Sequence, residues 1–351
     1  MTARPSASSP GAAPAAGAAP LLRVRDLTVS FTTAHGTVLA VDRVSFDLAS
    51  GRSLCVVGES GSGKSAMSLA LLGLHDRNAR VHGDAWLDGQ QLIGVDAKQR
   101  NATRGTRIAM VFQDALSALH PYFPVGKQIV AGWRRRTGAS RQAAGAYAVE
   151  LLTRVGIPNA TERAKSYPHQ FSGGMRQRAM IAMALSGEPD LIIADEPTTA
   201  LDVTVQAQML ELLQDLQRER GTALVFVTHD LAVVAELADE IMVMYGGRKV
   251  ELGSRDAIFA SPRHPYTRGL MDSVPRLDRP VARLLAIPGS PPVLPGRIDG
   301  CPFAARCPRA PELGDRCARE LPPRRAGLAG QSAFCHLPEA GPIVAEEAHG
   351  A

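Results

Sequence analysis

Long apolar runs are missing from this chain. Its longest, such as ALVFV and MIAMAL, fall well short of the ~18 residues that a helix needs to cross a bilayer. No basic segment followed by an apolar one opens the sequence, so neither a span nor a secretory leader is expected, and the reading is a cytoplasmic protein. Charge of one sign is also missing: 39 Lys and Arg are interleaved with 34 Asp and Glu, leaving +5. That balance describes a solvated surface rather than a nucleic-acid or anionic-membrane partner. No internal repeat is present. Cysteine occurs once, at Cys55, ahead of residue 301; the other four, Cys301, Cys307, Cys317 and Cys335, are crowded into the tail. Cys55 lies in the apolar run SLCVVG and reads as a core residue.

What is present divides into blocks. Residues 1–20, MTARPSASSPGAAPAAGAAP, offer too little bulky apolar surface to offset the entropy of ordering them, and a disordered tail is expected. From residue 21 the sequence turns to LLRVRDLTVSF and VDRVSFDLA, which alternate with period two, and then to the continuous apolar run SLCVVG. Two half-buried strands leading into one buried strand are the expectation. Residues 115–185 are rich in Ala, Arg, Gln and Leu and read as helices; buried strands return in LIIADEP and ALVFVTHD, each followed by a helical stretch. That order predicts a parallel sheet with crossover helices, interrupted by a helical insertion. Beyond about residue 261 proline becomes frequent and a second, loop-rich unit is expected. A chain of 351 residues that is 45% hydrophobic has room for both.

The chemistry starts at GESGSGKS, residues 58–65, which follows an apolar strand and opens the helical AMSLALLGL. The phosphate-loop pattern G-x-x-x-x-G-K-[ST] requires that setting, because its glycines let backbone N–H groups converge on phosphate oxygens at a helix N-terminus. Gly58, Ser60, Gly61, Ser62 and Gly63 form the loop; Lys64 is placed to reach the β- and γ-phosphates and Ser65 to ligate Mg²⁺. LIIADE ends a buried strand in Asp195, suited to the Mg²⁺ shell, and Glu196, suited to orienting or deprotonating water. Solvated strand-end acids are the plain alternative, weakened by the neighbouring phosphate loop. His229 closes VFVTHD and Gln113 closes MVFQD, each at a strand end where open α/β sheets bind ligands. SGGMRQ, residues 172–177, is a second Ser/Gly-rich turn before a helix and so a second anion site.

In this order the motifs resemble the ATP-binding subunits of ABC transporters, from residue 21 to about 262. The resemblance implies an α/β P-loop NTPase of the ABC ATPase type, with a parallel core sheet, an antiparallel β subdomain and a helical subdomain at about 115–185. The cassette is placed at 21–261. SGGMRQ looks like the ABC signature, with Met175 where Gln is commoner. In the family Ser172, Gly173 and Gly174 would face the phosphate loop of a partner, so that two subunits sandwich two ATP molecules. Carried over position by position, Glu196 resembles the catalytic carboxylate, Gln113 the residue that contacts Mg²⁺ or the lytic water, Asp202 the interface aspartate and Phe31 the aromatic that stacks on adenine. Phe31 also reads plainly as a strand residue facing the core.

Residues 262–351 resemble the C-terminal extension of the oligopeptide and dipeptide branch, carried by RHPYTRGLMDSVP and IPGSPPVLPGRIDGCPFAARCPRA. That branch implies peptide import, with nickel or another small solute as the alternative cargo. Its implied partners are a paralogous ATPase, two transmembrane permease subunits and an extracytoplasmic solute-binding protein, and no nucleic acid. The cysteines are spaced C-x5-C-x9-C-x17-C. Disulfides do not suit a reducing compartment, and paired C-x2-C spacing, usual for zinc, is absent; irregular spacing with adjacent proline, as at Cys301 and Cys307, suits an iron–sulfur cluster. Within the branch the four thiols look like a small loop-rich site for a 4Fe-4S cluster, with Zn²⁺ as the alternative and His336 as a substitute ligand. A soluble ABC ATPase acting on nucleic acid or ribosomes is the rival class, but this chain has neither a second cassette nor a long coiled coil; an exporter subunit would lack the tail.

Overall fold

The computed structural model describes residues 19–34, 36–114, 118–198, 203–273, 287–290, 292, 299–327 and 330–338. Two sheets organise it. Strands β1 (Leu22–Thr33), β2 (Gly36–Leu48), β4 (Ala79–Leu87) and β5 (Gln90–Gln91) form an antiparallel sheet in the order β2-β1-β4-β5. Leu22 and Val24, and after a register shift Leu27 and Val29, alternate inward on β1 and are fully buried.

The larger sheet has the order β11-β12-β10-β9-β3-β8-β7-β6. Its members are β3 (Ser53–Val57), β6 (Ile108–Val111), β7 (Leu191–Asp195), β8 (Ala223–Thr228), β9 (Glu240–Tyr245), β10 (Arg248–Ser254), β11 (Arg324–Ala326) and β12 (Ser332–Phe334). From β9 to β6 every pairing is parallel. Both faces of these strands are covered, which is why SLCVV, LIIAD and ALVFVT are continuous apolar runs and buried at every position. Parallel strands finish on one edge, so β3, β6, β7 and β8 deliver the residues that follow them to a common rim.

Helices at Val125–Ile129, Ala131–Thr137, Arg141–Arg154 and Gly173–Leu185 lie between β6 and β7 in sequence. Their inward residues, among them Val125, Ile129, Ala148, Leu151 and Met180, share one apolar cluster with the larger sheet. At the other end of the chain, β12 pairs antiparallel with β10 through Glu251↔Ala333 and Leu252↔Ser332, so the extension continues the main sheet. Glu251 is fully buried there and accepts hydrogen bonds from the N–H groups of Arg263 (2.8 Å) and His264 (2.9 Å) and from Gln331 Nε2 (2.7 Å). Burial raises its pKa and these donors oppose the shift, so one carboxylate of β10 joins two segments of the extension. Among the described residues no helix is long and apolar enough to cross a membrane.

Candidate functional site

β3 runs straight into the glycine-rich loop. Gly58 has φ 157°, and a Cβ there would stand 2.2 Å from the Met244 carbonyl oxygen. Gly63, at φ 97°, would put a Cβ 2.1 Å from the Ala40 carbonyl oxygen. Any side chain at either position would therefore displace backbone of β9 or β2. The helix Lys64–Leu72 begins immediately afterwards and ends at Gly73, whose N–H caps Ala70. Lys64 folds back and donates from Nζ to the carbonyls of Gly58 (2.8 Å) and Glu59 (2.9 Å). Burial lowers its pKa, while the nearby Glu196, Asp195 and Glu59 carboxylates oppose the shift. Ser60 and Gly61 are exposed at the tip of the loop and Ser62 is buried beneath it.

The neighbouring strand ends converge on this loop. Ser65 Oγ donates to Asp195 Oδ1 at 3.1 Å, joining the first turn of the helix to the end of β7. Burial raises the Asp195 pKa, the Ser65 hydrogen bond opposing it. Glu196 leaves the strand at φ 45°, a left-handed conformation that few non-glycine residues adopt, and its N–H is anchored on the Val227 carbonyl at 2.9 Å. That turn presents its carboxylate to two partners: Gln113 Nε2 donates to Oε2 at 3.2 Å, and His229 Nδ1 lies 3.4 Å from Oε1. Five residues singled out in the sequence thus stand beside Lys64 as two adjoining sets, Ser65 with Asp195 and Gln113 with Glu196 and His229. Such a group can hold a hard cation through oxygen, accept a proton from water and face a phosphoryl group with a neutral donor.

The other sequence candidates are placed elsewhere. Ser172 caps the Gly173–Leu185 helix, its Oγ accepting from the Met175 N–H at 3.3 Å, with Ser172 and Gly173 exposed. Phe31 sits on β1 between Val38 and Ala79 and packs, half-buried, against the core of the antiparallel sheet. Asp202 lies outside the described residues.

Cys301, Cys307, Cys317 and Cys335 line a single small cavity together with His264, Phe303 and His336. The Cys301 N–H donates to the Cys317 carbonyl at 2.7 Å, which draws two of the segments together. A finished metal site, expected from the spacing, is not what these residues form: among the described residues no three His, Cys, Asp or Glu side chains are grouped so as to hold a metal ion. Burial raises the pKa of Cys301 to about 12 and of Cys307 to about 11 and also raises those of Cys317 and Cys335. Two imidazoles in the wall have unused nitrogens. His264 Nδ1 accepts from the Tyr266 N–H at 3.1 Å, so its proton is on Nε2, which is buried and has no partner. His336 Nε2 lies 3.0 Å from the Glu320 carbonyl and therefore donates to it, leaving Nδ1 unpartnered. Orphaned polar nitrogens are costly in an apolar wall, and together with four thiols they fit a group carrying sulfur and charge.

Sequence reasoning missed His264, Arg306 and Tyr266. The Tyr266 hydroxyl accepts from the Glu59 N–H at 2.9 Å and Arg306 pairs with the Glu59 carboxylate, contacts across 207 and 247 residues that no local pattern announces.

A phosphate loop opening a helix beside carboxylates gathered at parallel strand ends defines a P-loop nucleoside-triphosphatase fold. Comparison with known proteins narrows it. The family "ABC transporter" matches residues 41–199, and "Oligopeptide/dipeptide transporter, C-terminal region" matches residues 250–313. The chain is 47% identical to the oligopeptide transport ATP-binding protein OppD of Salmonella typhimurium over 318 residues, 91% of this chain and 94% of that one. It is 50% identical to the dipeptide transport ATP-binding protein DppD of Bacillus subtilis over 84% of this chain and 89% of that one. Among solved structures it resembles the ABC cassette MJ0796 in a dimeric post-hydrolysis state bound to ADP and Pi, with TM-score 0.61 and 26% identity, over 67% of this chain and 98% of that one. The chain belongs to the ATP-binding subunits of the ABC transporter family, in the group that carries the oligopeptide/dipeptide C-terminal region.

Proposed function

We propose that this protein is the ATP-hydrolysing subunit of an importer of di- and oligopeptides, bound peripherally at the cytoplasmic face of the membrane. It would work as a dimer with a paralogous ATPase, on two transmembrane permease subunits supplied by an extracytoplasmic binding protein. The observation that carries the reading is the Ser65–Asp195 and Gln113–Glu196 hydrogen bonds with His229 against the Glu196 carboxylate, beside Lys64, in a chain that matches peptide-transport ATP-binding relatives over most of its length.

In this reading the loop residues Gly58 and Ser60 to Gly63 bind the phosphates through backbone N–H groups, and Lys64 releases its carbonyl partners to reach the β- and γ-phosphates. Ser65, Asp195 and Gln113 would hold Mg²⁺, which when bound offsets the charge of the triphosphate. Glu196 orients a water and takes its proton; Gln113 and His229, on either side of it, fix the carboxylate and place a donor toward the γ-phosphate. Ser172, Gly173 and Gly174 present a second helix N-terminus to the nucleotide held by the partner subunit, and Asp202 lines that interface. Phe31 offers its exposed edge to adenine. ATP joins the two subunits because it is an anion shared between positively polarised loops, and its hydrolysis releases them. Beyond Gln113, Tyr122 and Phe123 are exposed to 81% and 51%, an apolar patch suited to a permease subunit.

Cys301, Cys307, Cys317 and Cys335 would hold a 4Fe-4S cluster, a group able to staple a loop-rich segment and to carry one electron. Zn²⁺ is the alternative, held by the same four thiolates at about 2.3 Å. Reconstitution with the permease subunits and a peptide-loaded binding protein tests the transport reading: labelled peptide should accumulate only with ATP. Accumulation without ATP, or of nickel and no peptide, would overturn it. Protein purified without oxygen should be brown and contain about four iron atoms per chain.

A further inference from the structure

We propose that Arg306 is a positioning residue for the phosphate loop, holding the Glu59 carboxylate away from the bound triphosphate. Glu59 has the wrong sign for its place. It is the second residue of an anion-binding loop, its carbonyl accepts from Lys64 Nζ at 2.9 Å, and its side chain is a carboxylate beside the space that a polyanion must enter. Arg306 reaches it from the extension. The two form a fork, Nη1 to Oε2 at 2.7 Å and Nη2 to Oε1 at 3.2 Å. Parallel bonds of this kind set direction as well as charge.

The guanidinium is itself held on every side. Nε donates to the Pro288 carbonyl at 2.7 Å, Nη2 to the Ile287 carbonyl at 3.2 Å and Nη1 to the Tyr245 hydroxyl at 3.1 Å, with the Tyr245 ring 5.7 Å away. Its side chain is 8% exposed and that of Glu59 23%, so water screens the pair weakly. The Glu59 backbone is fixed from the same direction by Tyr266, whose ring packs with Tyr245 (4.5 Å between centroids) and Phe303 (5.4 Å). The extension thus grips the loop at one residue by backbone and side chain, and the cassette pattern, which leaves that position free, gives no sign of it. Arg306 lies between Cys301 and Cys307, so the grip depends on the fold of the cysteine segment.

Equilibrium ATP binding to the purified full-length chain, by titration calorimetry without Mg²⁺, tests the inference. Arg306→Met should weaken binding about tenfold, less at high salt, because an unpaired carboxylate then faces the phosphates. Arg306→Met combined with Glu59→Gln should bind ATP as the unmodified chain does, and Glu59→Gln alone should bind at least as tightly. In the assembled transporter the Arg306→Met defect should fall on KM for ATP and leave kcat within about twofold. A purely structural role would leave the double variant as weak as Arg306→Met; that result, unchanged binding in Arg306→Met, or weaker binding in Glu59→Gln alone overturns the proposal. Lys64→Ala separates it from the nucleotide reading, which fails if that variant binds ATP normally.

Discussion

The carboxylates at the rim of the main sheet and the thiols in the tail are both small clusters of reactive side chains, yet they are held by different means. At the rim, Ser65, Gln113, Asp195, Glu196 and His229 each follow or adjoin a strand or helix end; hydrogen bonds of 3.1 and 3.2 Å already join Ser65 to Asp195 and Gln113 to Glu196, and His229 Nδ1 stands 3.4 Å from the Glu196 carboxylate. The scaffold is the buried parallel sheet. In the tail, the cavity walls come from His264 and Pro265, from Cys301, Phe303 and Cys307 around one short helical turn, from Leu313 and Cys317 on two others and from the loop after β12, with two imidazole nitrogens left unpaired. A rigid sheet organises its site before any ligand arrives, whereas a segment with little apolar core would leave that work to a bound group such as the proposed cluster.

Breaking the rim should cost activity with little stability. Glu196→Gln keeps the shape and removes the base; hydrolysis in the assembled transporter should fall by at least ~10²-fold while ATP still binds and holds the dimer closed. Lys64→Ala removes the buried cation of the loop, and ATP should bind ~10- to 100-fold more weakly in direct titration. Breaking the tail should do the reverse. Cys301→Ser with Cys317→Ser should abolish the brown colour and lower the melting temperature by at least ~5 °C, with ATP affinity altered only a few-fold through the Arg306 grip. Full retention of colour and stability would contradict the stapling role. The smallest effect is expected at Phe31, where Phe31→Ala should weaken ATP binding about threefold by titration and cost some stability, since the ring also packs on the core.

The two regions were also unequally legible in the sequence. The rim could be read because each part has a local signature: a glycine pattern after an apolar strand, or a carboxylate, amide or imidazole closing one. That Glu196 would turn through a left-handed φ, anchored on Val227, was not readable, since it depends on the neighbouring strand. In the tail the cysteines were visible but their surroundings were not. The fading of periodicity after residue 261 suggested a separate loop-rich unit, whereas β12 pairs with β10 through a register of two residues, too short to leave a pattern. His264 joins the thiol cavity and Arg306 joins Glu59 only because the chain returns on itself over long distances. Asp202 and the three residues before it, Thr199, Ala200 and Leu201, lie outside the described residues.

The central claim is that ATP hydrolysis at Glu196 serves peptide entry. Its most direct test is the ATPase rate of the transporter reconstituted in vesicles, measured with empty and with peptide-loaded binding protein on the outer side. The rate should rise several-fold with peptide and vanish in Glu196→Gln. A rate indifferent to peptide, or one that survives Glu196→Gln, would contradict the account.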